Sequence, residues 1–163
     1  MFDEILLSKA RAFLDAAQSK SLTLTTAESC TGGLIAGLLT EVPGSSRTLE
    51  RGFVVYSNRA KQDMLDVPGE MLADYGAVSE PVSRAMAEGA IAHSRADLAI
   101  AVTGIAGPSG DTPMKPVGLV HIAVLKRDKH MLHQMFEFGN VGRQKVRELT
   151  VLESLKMLHE LIS

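Results

Sequence analysis

Ser29, Lys61 and Tyr56 have the residue types of an acyl-transfer site. Ser29 lies in the stretch Thr26-Ala27-Glu28-Ser29-Cys30-Thr31-Gly32-Gly33. The apolar, β-prone run Leu22 to Thr26 leads into it, and the apolar helical run Leu34 to Leu39 leaves it. A strand that turns tightly into a helix leaves the first N–H groups of that helix unpaired. Such groups suit an anion or a developing oxyanion. A serine hydroxyl is a weak nucleophile until a base takes its proton. Lys61 is the candidate base, because it follows the second apolar run, Gly52 to Ser57, in the first turn of a helix opened by Asn58. Lysine serves as a base when its surroundings lower its pKa, and Ser–Lys variants of the serine triad exist. Tyr56, ending that run, is the candidate relay for the proton. The plainer readings are a helix cap for Ser29, a solvated Lys61 and a packing role for Tyr56.

Other nucleophiles and bases fit less well. Cys30 would sit at a helix N-terminus, which can lower a thiol pKa, yet it has no histidine partner in view. Of the five histidines, His93 and His159 fall on helices, His121 in a strand, and His130 and His133 near a hairpin. None falls at a strand end. Glu28-Ser29-Cys30-Thr31-Gly32 is not the G-x-S-x-G elbow of the α/β-hydrolases. A second glycine-rich loop, Gly104 to Gly110, exposes backbone N–H groups that suit a phosphate or ribose, although it is neither a P-loop nor a dinucleotide fingerprint. Arg143, at the start of the last helix, adds a cation at a helix N-terminus. No His, Asp and Glu residues stand at metal-ligand spacing, so neither a metal nor a cofactor is expected.

The elements that must position these residues follow from periodicity. Apolar residues at three- and four-residue spacing predict helices over 3–19, 33–41, 58–65, 70–75, 79–91 and 141–161. β-Branched and apolar runs predict strands over 22–26, 52–57, 98–103, 117–125 and 131–138, with a hairpin turn at Arg127-Asp128-Lys129. The run Leu98 to Thr103 is almost wholly apolar, as in a strand covered on both faces. Helices alternating with strands, then two adjacent strands and a helix, give a three-layer α/β/α sandwich with a mixed, partly parallel sheet. Ligands bind beyond the carboxyl ends of parallel strands in such sheets. The loops after Thr26, Tyr56 and Thr103 then meet at one site.

The 163 residues suit one domain spanning 1–163. A net charge of −2 and the absence of Trp argue against a nucleic-acid surface. Cys30 is the sole cysteine, so no internal disulfide forms. No apolar run approaches the ~20 residues of a membrane span, and Met1-Phe2-Asp3-Glu4 lacks the basic start of a signal peptide. A soluble, cytoplasmic protein is the expectation.

The stretch Thr26 to Gly33 resembles the signature of the C-terminal domain of the competence/damage-inducible CinA family. The resemblance continues through Gly52-Phe53-Val54-Val55-Tyr56-Ser57-Asn58 with Lys61, Gly76-Ala77-Val78-Ser79-Glu80, Val102 to Pro108, and Lys115-Pro116-Val117-Gly118. It implies hydrolysis of nicotinamide mononucleotide to nicotinic acid mononucleotide and ammonia through an acyl-enzyme. Ser29 would attack, Lys61 would accept its proton, and Tyr56 would pass it to ammonia. Backbone N–H groups of Cys30, Thr31, Gly32 and Gly33 would hold the oxyanion. Thr103, Gly104, Ala106, Gly107 and Gly110, with Asn58 and Arg143, would hold ribose and phosphate. The sequence departs from the family pattern at Asp111, where a second glycine is frequent, and at Val141-Gly142-Arg143, where Gly-Asp-Arg is frequent. The competing class is a nucleotide-binding or interaction module without turnover, linked to competence or DNA damage. A homodimer through the last strand or terminal helix is a further expectation.

Overall fold

The structure, a computed structural model, describes residues 1–128 and 130–163. Six helices and five strands follow the order α1 (Glu4–Ser19), β1 (Leu24–Glu28), α2 (Leu34–Thr40), β2 (Leu49–Val54), α3 (Asn58–Leu65), α4 (Gly69–Tyr75), α5 (Glu80–Ala92), β3 (Leu98–Gly104), β4 (Leu119–Lys126), β5 (Met131–Glu137) and α6 (Arg143–Ile162). A short 3₁₀ turn, Ser45–Arg47, precedes β2.

The sheet order is β2-β1-β3-β4-β5. β1 pairs in parallel with β2 and β3, and β4 and β5 add antiparallel ladders. The order in which strands are laid down therefore switches sides at β1: β2 lies on one side of it and β3 on the other. That is a topological switch point, where a crevice opens beyond the strand ends.

Alternation along the strands divides the core. Leu24, Leu98, Ile100, Val102, Ile122 and Val124 face α1, α2 and α6. Ala27, Ala99, Ala101 and Ala123 face α3, α4 and α5. The small residues on the second face let α5 lie close to the sheet. α5 in turn meets the end of α3 without clearance, since a Cβ on Gly89 would lie 2.0 Å from the Leu65 carbonyl oxygen. The result is the three-layer α/β/α sandwich with a mixed sheet that periodicity predicts.

Several boundaries differ from that prediction. β1 runs two residues later, because Thr23 turns aside: its N–H and hydroxyl both donate to Asp97 Oδ2. Glu28 is thus the last residue of the strand and not part of the turn. β2 runs three residues earlier, and Tyr56 lies beyond it, because Ser57 caps α3 by accepting from the Ala60 N–H. β4 starts at Leu119, since Gly118 at φ +92° leaves the extended conformation. α6 starts at Arg143 and not Val141. The turn at Arg127-Asp128-Lys129 includes Lys129, which lies outside the described residues.

Candidate active site

Ser29 follows β1 directly. Its N–H donates to the Val102 carbonyl of β3, 3.1 Å away, which fixes the start of the turn. Its Oγ lies 3.0 Å from Lys61 Nζ. Lys61, on α3, is 1% exposed. Its Nζ also donates to the carbonyls of Val55 (3.0 Å) and Tyr56 (3.1 Å). A neutral amine has two N–H donors. In the neutral form, with those two donors on the two carbonyls, the lone pair would face the Ser29 hydroxyl; the ammonium would instead donate to all three oxygens. Burial lowers the Lys61 pKa, opposed to a lesser degree by the neighbouring Cys30 sulfur. A buried hydroxyl and a buried amine thus stand within hydrogen-bond distance, the arrangement a serine nucleophile and its base would require.

Cys30 does not share this chemistry. Burial pushes its thiol up to about 12, against the weaker pull of Arg147 and Lys61. It is protonated at neutral pH, so the rival thiolate is removed.

The turn between β1 and α2 is held by a residue that spacing did not reveal. Glu28 is 1% exposed. Its Oε1 accepts from Thr31 Oγ1 (2.6 Å) and the Ile35 N–H (2.9 Å), and its Oε2 accepts from the Ala36 N–H (3.1 Å). Glu28 therefore caps α2 from the end of its own preceding strand. This corrects the expectation that the helix N-terminus offers free N–H groups. The Gly32 N–H is also engaged, with the Ser29 carbonyl at 3.0 Å. Among the described residues, the N–H groups of Cys30, Thr31 and Gly33 have no oxygen acceptor.

A cleft of about 260 Å³ opens over Ser29 and Lys61. It brings together every candidate side chain and loop residue named from the sequence except Thr31, Gly32 and Gly33, which are not among its lining residues. Tyr56 is present but placed differently from its expected role. Its ring is exposed, and its hydroxyl accepts from Arg143 Nη2 at 2.9 Å rather than meeting Ser29 or Lys61. Its carbonyl, not its hydroxyl, touches the lysine. Arg143 Nη1 donates to the Gly107 carbonyl at 2.9 Å, so the guanidinium bridges two walls of the mouth through neutral acceptors. An incoming phosphate would offer it charge-assisted bonds instead. Thr103 faces the cleft with its hydroxyl donating to the Ala77 carbonyl at 2.9 Å. Gly107, at φ +87°, packs so tightly that a Cβ would lie 2.6 Å from Val117 Cγ1.

Ala77, Val78, Ile105 and Ser109 also line the cleft; they lie in the motifs and the glycine-rich loop of the sequence but are not among the candidate site residues. Arg147 carries a sequence signal: it lies one helical turn after Arg143, on the same helix face. A larger cavity of about 510 Å³ lies beyond Arg143, between residues 1–6 and α6. It contains no nucleophile with a base. Among the described residues, no group of three His, Cys, Asp or Glu is placed to hold a metal ion, and no helix is long and apolar enough to cross a membrane.

Parallel strands that end in a cleft at a switch point, with a buried serine–lysine pair on its floor, define an α/β protein with a Ser–Lys site. The chain belongs to the family described as the CinA C-terminal domain, whose model matches residues 7–162. It is 48% identical over 156 residues to a CinA-like protein of Parasynechococcus marenigrum, covering 96% of this chain and 36% of that protein. A CinA-like protein of Syntrophus aciditrophicus is 47% identical over 157 residues, again with 96% and 36% covered. The chain thus spans about a third of the length of these curated relatives. Among solved structures, the competence/damage inducible protein CihA from Agrobacterium tumefaciens superposes with a TM-score of 0.98 at 48% identity, covering 100% of this chain and 99% of that one.

Proposed function

We propose that the chain is a cytoplasmic amidohydrolase that converts nicotinamide mononucleotide to nicotinic acid mononucleotide and ammonia. The observation that carries this reading is the 3.0 Å contact between Ser29 Oγ and the buried Lys61 Nζ. Ser29 Oγ attacks the carboxamide carbon, and its proton passes to neutral Lys61. The tetrahedral oxyanion is directed to the N–H groups of Cys30 and Thr31, neither of which has an oxygen acceptor among the described residues. The C–N bond then breaks, and the lysine proton leaves with ammonia. Water, losing a proton to Lys61, attacks the acyl-enzyme; the C–Oγ bond breaks as Ser29 Oγ takes that proton back from Lys61, and the product acid ionises to the carboxylate. Tyr56 is assigned to the mouth of the cleft with Arg143, where the two face the phosphate and ribose. The resemblance of the site motifs supplies the substrate, and the cation at the mouth suits its phosphate.

The test is ammonia release from nicotinamide mononucleotide by wild type, Ser29→Ala and Lys61→Ala. Turnover in wild type that is lost in both variants supports the reaction and its pair together. Full rate in Ser29→Ala refutes the acyl-enzyme. Binding of the nucleotide by wild type without turnover makes the domain a binding module.

A further inference from the structure

Arg147 lies outside the cleft lining, yet it reaches the nucleophile turn from α6. Its Nε donates to the Cys30 carbonyl and its Nη2 to the Thr31 carbonyl, each at 3.1 Å. Both acceptors are neutral, and the side chain is half-buried. The guanidinium therefore grips two consecutive peptides of the turn that presents Ser29. In a trans peptide the C=O and N–H point in opposite directions. Fixing the Cys30 carbonyl fixes the direction of the Thr31 N–H, one of the donors without an acceptor. A charged donor also polarises the peptide it binds, so the opposite N–H becomes a stronger donor. Glu28 holds the same residue through Thr31 Oγ1 at 2.6 Å. Thr31 is thus fixed between a carboxylate and a guanidinium that come from opposite ends of the chain.

We propose that Arg147 is a positioning residue: it sets the N–H donors that receive the oxyanion without touching substrate. The inference rests on the acyl-transfer reading of Ser29. It adds a requirement that nothing in the cleft itself shows.

The test uses Arg147→Met and Arg147→Lys in the full chain. Steady-state deamidation, product affinity, thermal melting and the rate of Ser29 labelling by a fluorophosphonate are measured together. The fluorophosphonate needs the nucleophile and oxyanion donors but not the nucleotide. In Arg147→Met, kcat is expected to fall about 100-fold, as for a misplaced or lost oxyanion donor, with KM and product affinity within about 2-fold of wild type. Arg147→Lys, able to hold one carbonyl, is expected to lose about 10-fold. Labelling of Ser29 falls by the same factors. A kcat within about 3-fold of wild type in Arg147→Met overturns the proposal. So does a loss that appears in KM alone, or one no larger than the unfolded fraction at the assay temperature. If wild type labels in an Arg147-dependent way but does not turn over the nucleotide, the substrate assignment fails and the positioning role stands.

Discussion

Glu28→Gln separates the two things a buried carboxylate does here. The substitution keeps volume and shape. In the folded protein Oε1 faces the Ile35 N–H and Thr31 hydroxyl, and Oε2 faces the Ala36 N–H. A glutamine amide has one acceptor oxygen and one NH₂ group. Whichever way it is turned, one backbone N–H at the start of α2 meets an NH₂ donor and is left without a partner. A buried donor that loses its acceptor costs about 1–3 kcal/mol, and the surviving bonds lose the strength contributed by the charge. Removing a buried charge offsets part of that loss. The expected net destabilisation is about 2–3 kcal/mol. For a chain of this size it lowers Tm by roughly 5–10 °C. Glu28→Ala, which orphans both N–H groups and leaves a cavity, should cost about 4 kcal/mol. Urea unfolding followed by far-ultraviolet circular dichroism measures both. A Glu28→Gln protein within about 0.5 kcal/mol of wild type would refute the capping argument, because surface changes alone fall in that range.

Lys61→Met should abolish turnover and raise Tm. Burial lowers the lysine pKa in the folded chain, so between the folded and unfolded pKa values the unfolded chain binds more protons. The stability gain from Met therefore grows as pH falls through that window, and melts at pH 10 and pH 7 check the sign. His121 is held down to about 4 by burial first and by His133 and Lys115 next, with Glu80 opposing. Its neutral form is the folded one, so stability present above pH 6.5 is lost as pH falls from there towards 4. His121→Phe should flatten that acid limb in unfolding curves taken at several pH values. Arg143→Met should raise KM about 10- to 100-fold with little change in kcat, if its guanidinium at the cleft mouth receives the phosphate of the proposed substrate. An unchanged KM would place the phosphate elsewhere.

Much of this was legible in the sequence because both periods were clean. The alternation of Leu98, Ile100 and Val102 with Ala99 and Ala101 identifies a strand with two covered faces, and the structure buries all of them. The convergence of the loops after β1, β2 and β3 followed from parallel order. Glu28 escaped notice because a glutamate beside a serine and two glycines reads as turn chemistry. Only the shift of β1 by two residues, caused by Asp97 gripping Thr23, places it inside the sheet. The Tyr56 hydroxyl stands away from Ser29 in this structure for a geometric reason. A strand-end residue was expected to face the nucleophile, but the chain leaves β2 before Tyr56 and turns its ring outward to Arg143. The spacing of Arg147 from Arg143 puts the two on one helix face, but that Arg147 grips the Cys30 and Thr31 carbonyls depends on how α6 crosses the turn, which no local pattern contains.

The contacts that make the cleft join distant parts of the chain. The Ser29–Lys61 contact spans 32 residues, Tyr56–Arg143 spans 87, and Cys30–Arg147 spans 117. Long loops must close before such contacts form, and proteins rich in them fold slowly. During refolding, helices can appear while the cleft is still unassembled. Recovery of Ser29 reactivity should then lag behind recovery of helical signal. A fragment ending before α6 would retain Ser29 and Lys61 in sequence but lack the guanidiniums that bridge the mouth and brace the turn. On the proposed reading, reactivity at Ser29 requires α6 in place and reports the assembly of the cleft during refolding.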